Sequence, residues 1–202
     1  MGDRLSTQLF HYWTSLRAAQ RMPLRTQIDP AALSQQLPDL FILEALTGGE
    51  HRFRLAGTRM CHLFGRELRH ALFSSLWRDD QARQTDRTAQ RILQTAVPIR
   101  FSADSRNRLG DRVRLEIALF PLADPDGVPA RLIGALDILE TPFQQAFLPL
   151  STLEQTGLST MEWPEPQGGV TGEESTDDSA AWKNLVRRIA RSRAIDDDHA
   201  KI

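Results

Sequence analysis

The stretch that decides the fold is residues 99–139, IRFSADSRNRLGDRVRLEIALFPLADPDGVPARLIGALDIL. At 112–119, apolar residues alternate with mostly charged ones, which is the period of two of a half-buried strand. A polar turn precedes this strand and Asp124-Pro125-Asp126-Gly127 follows it, so strands are also predicted at 99–103 and 131–139. Because connections this short join antiparallel neighbours, the pattern predicts a three-stranded meander.

Two more strands and the main helix are predicted upstream. Apolar residues 40–46, the turn Thr47-Gly48-Gly49-Glu50 and the return segment 51–57 form a hairpin pattern. The longest core helix runs from 80 to 96, where apolar residues recur at helical spacing, and Pro98 ends it. Five antiparallel strands with their helices gathered on one face make an α+β domain.

A first helix is predicted from 5 to 21, with Pro23 beyond its end. Leu9, Trp13 and Leu16 lie on one apolar stripe of this helix. The stripe must be covered, either by the domain's own sheet or by the same helix of a second chain.

The composition changes near residue 150, where polar residues, prolines and glycines replace the periodic apolar pattern. We therefore divide the chain into an N-terminal helix and connection (1–28), the main domain (29–145) and a mostly disordered tail (146–202). Within the tail, Trp182 and Ile189 share one face of a short helix at 180–194. That helix either binds a partner or a membrane surface, or docks weakly on its own domain.

Charge and composition exclude several classes of protein. The 25 Lys and Arg residues are balanced by 26 Asp and Glu, so no excess positive charge favours nucleic acid. No segment approaches the roughly 18–20 apolar residues of a membrane span. Cys61 is the single cysteine, which excludes an intrachain disulfide. The expectation is a cytoplasmic protein.

The order of predicted elements, together with seven short motifs, resembles a PAS domain, and in particular a family of short PAS proteins of alphaproteobacteria, many of which have no attached catalytic domain. The resemblance covers roughly residues 5–142. It is carried by Trp13, Asp29-Pro30, Leu37-Pro38, Arg54-Leu55-Ala56-Gly57-Thr58, Gly65-Arg66-Glu67-Leu68, Trp77 and Gly134-Ala135-Leu136. It implies a five-stranded sheet that cups helices, signalling by ligand or partner binding, and dimerisation through the N-terminal helix.

Haem and photochemical flavin, two cofactors of PAS domains, do not fit these residues, and the sequence leaves any other ligand or cofactor unknown. Haem-binding PAS domains take their His from the long helix, and the segment 80–96 contains none. Photochemical flavin domains use an Asn-Cys-Arg-Phe-Leu-Gln type of motif, which the surroundings of Cys61 lack. Cys61 and His62 are adjacent on a predicted helix and point about 100° apart, so they do not form a nucleophile pair. The five His residues show no zinc-ligand spacing.

The sequence therefore predicts a PAS-type sensory or signalling module, not an enzyme, that binds a small ligand or a protein partner and has no output domain of its own. The alternative is a ligand-free adaptor that acts through dimerisation. Residues expected to line a pocket are Phe53, Leu55, Phe64, Trp77, Leu93, Leu115 and Ile117. Residues expected at interfaces, including that of a homodimer, are Leu9, Trp13, Leu16, Trp182 and Ile189.

Overall fold

An antiparallel sheet with helices on both faces organises the computed structural model, which describes residues 4–18, 20–140 and 149–161. The helices are α1 (Leu5–Arg17), α2 (Thr58–Leu63) and α3 (Asp79–Thr95). The strands are β1 (Leu40–Ala45), β2 (His51–Ala56), β3 (Ile99–Arg106), β4 (Arg112–Ala123), β5 (Pro129–Glu140) and β6 (Glu154–Thr160). Short 3₁₀ turns lie at Arg25–Gln27, Leu37–Asp39 and Phe73–Leu76.

The strand order across the sheet is β2-β1-β5-β4-β3-β6, and every neighbouring pair is antiparallel. The predicted hairpin and meander are therefore confirmed. The side chains of β4 do not alternate between buried and exposed, as they would in a half-buried strand, because both faces of the strand are covered. The inner face packs against α3 and the Phe73–Leu76 turn, and the outer face packs against α1.

Helix α3 holds the inner layer in place. Asp79 and Asp80 lie in its first turn, where a negative charge favours the helix dipole. Its buried residues follow helical spacing and include Thr85, Ala89 and Ile92. This amphipathic pattern explains why the helix could be predicted almost to its ends.

The sheet has a sixth strand that we did not predict. The composition places residues 154–160 in the disordered tail, but they pair with β3 from Ile99↔Thr160 to Asp104↔Glu154. The pairing depends on main-chain hydrogen bonds, and Leu153 just before the strand is fully buried in the core. A strand held by main-chain bonds at a sheet edge needs little apolar periodicity, so its sequence resembles a polar linker.

Helix α1 and the sheet belong to one compact unit, whose described residues are 4–18, 20–28, 35–140 and 149–161. Helix α1 ends at Arg17, earlier than predicted, because the φ of 48° at Ala18 leaves the helical region. Of the second unit, residues 29–34 and 163–202, only the first segment is described. There the Asp29 carboxylate accepts a hydrogen bond from the Ala31 amide at 2.8 Å, which stabilises a turn.

Candidate functional site

The predicted pocket positions lie on the inner face of the sheet, with one exception. Phe53, Phe64, Trp77, Leu93, Leu115 and Ile117 are all buried and belong to one apolar cluster. Within it Phe41, Phe53 and Phe73 form a group of rings whose centroids are 5.4–6.1 Å apart. Such separations correspond to ring contact. The inner face is therefore filled by its own side chains at these positions.

Leu55 is the exception, and its predicted place in the pocket is wrong. Its side chain is 47% exposed on the outer face. The register between β1 and β2 shifts, so that Ile42 pairs with Leu55 whereas Leu43 pairs with Phe53. One extra residue, Arg54, is thus inserted as a β-bulge, and it reverses the phase of the side chains beyond it.

Trp77 is the one predicted pocket residue with an unsatisfied polar atom. Its side chain is 1% exposed, and its rings contact Phe73 and Phe101 at 5.8 and 5.4 Å between centroids. Among the described residues, Nε1 has no hydrogen-bond partner. A buried N–H without an acceptor costs stability, which makes this atom the natural contact for a polar group entering the core.

His51 is a second buried polar residue, and the sequence analysis did not select it. Its side chain is fully buried at the start of β2, with Nδ1 3.4 Å from Oδ1 of Asp86 on α3. The same Asp86 oxygen accepts the His51 backbone amide at 3.1 Å. Neither ring nitrogen makes a hydrogen bond of good geometry with the described residues. The arrangement ties β2 to α3.

The apolar stripe of α1 is covered by the chain's own sheet. Leu9 and Trp13 are 1% and 2% exposed, and the Trp13 indole donates to the Pro121 carbonyl of β4 at 2.8 Å. Phe120 lies 6.2 Å from Trp13 between ring centroids. The prediction that Leu9 and Trp13 form a dimer interface is therefore wrong. Leu16 is half-buried.

The other two predicted interface residues, Trp182 and Ile189, and the predicted helix at 180–194 lie outside the described residues.

Two carboxylates hold the N-terminus of α1 on the outer face. Asp137 of β5 accepts the backbone amides of Leu5 and Ser6, each at 2.8 Å. Its cross-strand partner Glu116 accepts the Ser6 hydroxyl at 2.7 Å and lies 3.1 Å from a guanidinium nitrogen of Arg4. Because Arg4 provides no side-chain cap, Asp137 caps the helix from a distant strand.

Another charged cluster lies on the outer face where β1, β2 and β5 meet. Glu44 accepts hydrogen bonds from Arg52 at 2.7 and 3.1 Å and from Arg131 at 3.1 Å. Arg54 approaches the same carboxylate only to 3.7 Å. The Arg52 hydrogen bonds lower the pKa of Glu44, so this carboxyl is ionised near neutral pH. One carboxylate thus interacts with three guanidinium groups.

Cys61 does not have the surroundings of a nucleophile. Burial raises the pKa of its thiol, and the thiol donates to Oε1 of Glu67 at 3.5 Å. Both effects favour the unreactive protonated form. Across residues 4–18, 20–140 and 149–161, no three His, Cys, Asp or Glu side chains converge to hold a metal ion.

Three surface cavities lie away from the predicted pocket. One of about 430 Å³ is lined by polar residues at the ends of β3 and β4, including Arg78, Arg112 and Ser151. Another of about 380 Å³ lies beside the turn at Asp126. The third, of about 210 Å³, lies beside Asp137 at the N-terminus of α1. None of them is lined by the seven predicted pocket residues.

No described helix has the combination of length and apolar character that crossing a membrane requires.

Solved structures that resemble this chain include two of VqmA from Vibrio cholerae. The VqmA dimer in the absence of target DNA is 13% identical, with a TM-score of 0.41 over 54% of this chain and 51% of that chain. A VqmA–ligand–DNA complex is 14% identical, with a TM-score of 0.40 over 54% and 49%. The chain thus spans about half the length of VqmA. A PAS-B variant of Drosophila melanogaster Cycle with bound glycerol is 12% identical, with a TM-score of 0.39 over 49% and 99%.

No curated protein matches this chain. A family model described as a PAS domain matches residues 1–137, more than half of the 202 residues. The match runs from α1 through most of β5, and it agrees with the predicted element order and with the observed α+β architecture. This chain belongs to the PAS domain family, a family of sensory and signalling modules.

Proposed function

We propose that this chain is a signalling module that acts by binding a protein partner on its surface, without a ligand in its core and without catalytic activity. The observation that carries the proposal is the filled inner face. A site for a small molecule usually has a volume of about 300–1,000 Å³. At the predicted position, side chains in mutual contact take up that space.

The packing of the aromatic rings supports this conclusion in detail. Phe73 lies at the centre, with its ring 5.8–6.4 Å from those of Phe53, Phe41, Trp77 and Phe101. Phe41, Phe53, Phe73 and Phe101 are fully buried. Since protein interiors are packed as densely as organic crystals, a ligand would enter only if several rings moved together.

The second candidate function is the sensing of a small molecule, and one observation favours it. Nε1 of Trp77 has no acceptor among the described residues. A ligand with a carbonyl or hydroxyl oxygen would satisfy this donor if Phe73 or Phe101 moved aside. In this alternative the chain is still a signalling module, but it recognises a small molecule in its core and not a protein partner on its surface.

Two measurements on the full chain and its Trp77→Phe variant separate the two candidate functions. Native mass spectrometry detects a bound ligand, and thermal unfolding in the presence of each member of a metabolite collection detects stabilisation by one. The partner-binding proposal predicts the bare polypeptide mass and no rise in Tm with any metabolite, for the wild-type chain and for Trp77→Phe alike. A metabolite that raises the wild-type Tm but not that of Trp77→Phe would overturn it in favour of sensing.

We also expect the chain to act in the cytoplasm. The homodimer predicted from the PAS resemblance remains a proposal, and its contacts must come from surfaces other than Leu9 and Trp13. Sedimentation of the wild-type chain across a wide concentration range tests it directly.

A further inference from the structure

A mixed basic and apolar surface lies on the outer face of the sheet, at the edge formed by β2. We call it the Arg54 patch, and it consists of Ile42, Glu44, Arg52, Arg54, Leu55 and Arg131. It shares the face of the sheet that α1 partly covers. The cavities described above and the buried core do not include it.

The apolar part of the patch continues a row of side chains that begins under α1. Phe120 pairs across the sheet with Ile133, Ile133 with Ile42, and Ile42 with Leu55. The exposed fraction increases along this row, from the fully buried Phe120 to Leu55, which is 47% exposed. Helix α1 thus covers one end of an apolar row and leaves the other end open at the sheet edge.

The bulge at Arg54 creates this exposure. Without the extra residue, Leu55 would follow Phe53 onto the inner face, as the alternating sequence predicts. Bulges are frequent at sheet edges and functional sites because they redirect side chains. Here the bulge moves one large apolar side chain out of the core and brings Arg54, whose side chain is 59% exposed, beside it.

The basic part of the patch carries more positive than negative charge. Arg52, Arg54 and Arg131 share the carboxylate of Glu44, which leaves two positive charges uncompensated among these four residues. A guanidinium group has five donors in a planar fork, and a carboxylate matches that fork well. Arg54 makes no hydrogen bond to Glu44, so its donors are the most available to an incoming group.

We propose that the Arg54 patch is the docking surface for an acidic segment of a partner protein, which places carboxylates on Arg54 and its neighbours and an apolar side chain against Leu55 and Ile42. This inference deepens the proposed partner-binding function and rests on it. The charge balance selects an acidic segment, and the exposed end of the apolar row selects one that also carries an apolar residue. Such an interface forms faster and binds more tightly at low salt.

An anionic membrane surface is the competing occupant, and the structure favours it less. Membrane-binding surfaces carry clusters of several Lys or Arg residues with few acids among them. This patch has Glu44 at its centre.

The test titrates the full isotope-labelled chain with a short synthetic peptide of repeated Glu-Glu-Leu units and follows binding by NMR. We expect the largest shifts at Arg54 and Leu55, and weaker binding as salt rises. Arg54→Glu should weaken binding about tenfold and Leu55→Ser several-fold. Arg108→Glu makes the same change of charge in an exposed turn and should leave the affinity unchanged.

Several results would overturn the inference: no binding of the peptide, equal binding of a Gln-Gln-Leu peptide, or equal weakening by Arg108→Glu. Binding of phosphatidylglycerol vesicles that Arg54→Glu abolishes, without peptide binding, would assign the patch to membranes instead. The metabolite experiment with Trp77→Phe reports on the proposed function separately, because that substitution lies in the core and leaves the patch intact.

Discussion

At the scale of single residues, the aromatic core depends on a glycine in the middle of β5. Gly134 pairs with Phe41, and the Phe41 ring lies over it so closely that a Cβ at 134 would be 2.2 Å from Cζ. Phe41 also contacts Phe53 and Phe73 on its other sides, which opposes a shift of its ring. We expect Gly134→Ala to lower the free energy of unfolding by about 1–3 kcal/mol through overpacking, as measured by urea denaturation.

Gly157→Ala is the matched control, because a Cβ there would meet the Ser102 side chain at an ordinary 3.4 Å. It should change the stability little. If Gly134→Ala were as stable as the wild type, the ring of Phe41 could move aside to admit the new methyl group. That result would weaken the argument that the core is filled.

Residue-level prediction from sequence succeeds where the strand is regular and fails where it is not. Leu115 and Ile117 could be assigned to the core because apolar residues recur along β4 with a clear period of two. Leu55 could not, because a bulge inserts a residue without changing the composition of the strand. The Arg54 patch was therefore not visible in the sequence, although Arg54 and Leu55 were both part of the motif that carried the resemblance.

At the scale of elements, the attachment of α1 depends on a cap supplied by another strand. The Asp137 carboxylate accepts two amides from the first turn of α1, where its negative charge also favours the helix dipole. We expect Asp137→Ala to lower the free energy of unfolding by about 1–2 kcal/mol, since both amides lose their acceptor. Hydrogen exchange of residues 5–17 should rise more than that of β4.

Asp126→Ala is the control for this substitution, because it removes an exposed aspartate from a turn that α1 does not contact through its backbone amides. It should leave both exchange and stability near wild-type values. Unchanged protection of α1 in Asp137→Ala would mean that Trp13 and the apolar stripe hold the helix without the cap.

The sequence could predict α1 but not what covers it. The stripe that contains Leu9 and Trp13 has the same pattern whether a sheet or a second helix lies against it. The deciding contacts, from Trp13 to the Pro121 carbonyl and from Asp137 to the first turn, each join residues more than 100 positions apart. Local periodicity contains no information on such pairings.

At the scale of the whole molecule, β6 closes the edge that β3 would otherwise expose. Besides pairing with β3, this segment inserts Leu153 into the core, and Leu153 exchanges main-chain hydrogen bonds with Leu76 and Arg78 at 2.7 and 3.0 Å. Truncation after Glu140 removes these contacts and leaves a long strand edge unpaired. We expect the truncated chain to unfold at lower urea concentration and to self-associate through β3, as measured by sedimentation.

Truncation after Glu162 provides the comparison, because it retains all six described strands and should keep the wild-type urea midpoint and sedimentation. If truncation after Glu140 also left both unchanged, β6 would be dispensable and the five strands predicted from sequence would form a complete sheet. The role of β6 also bears on function, because β2 and β6 are the two edge strands of the described sheet. Because β6 is the edge strand on the β3 side and His70 and Ala71 hydrogen-bond to Phe53 of β2, a partner at the Arg54 patch meets side chains on the outer face and not an open strand edge.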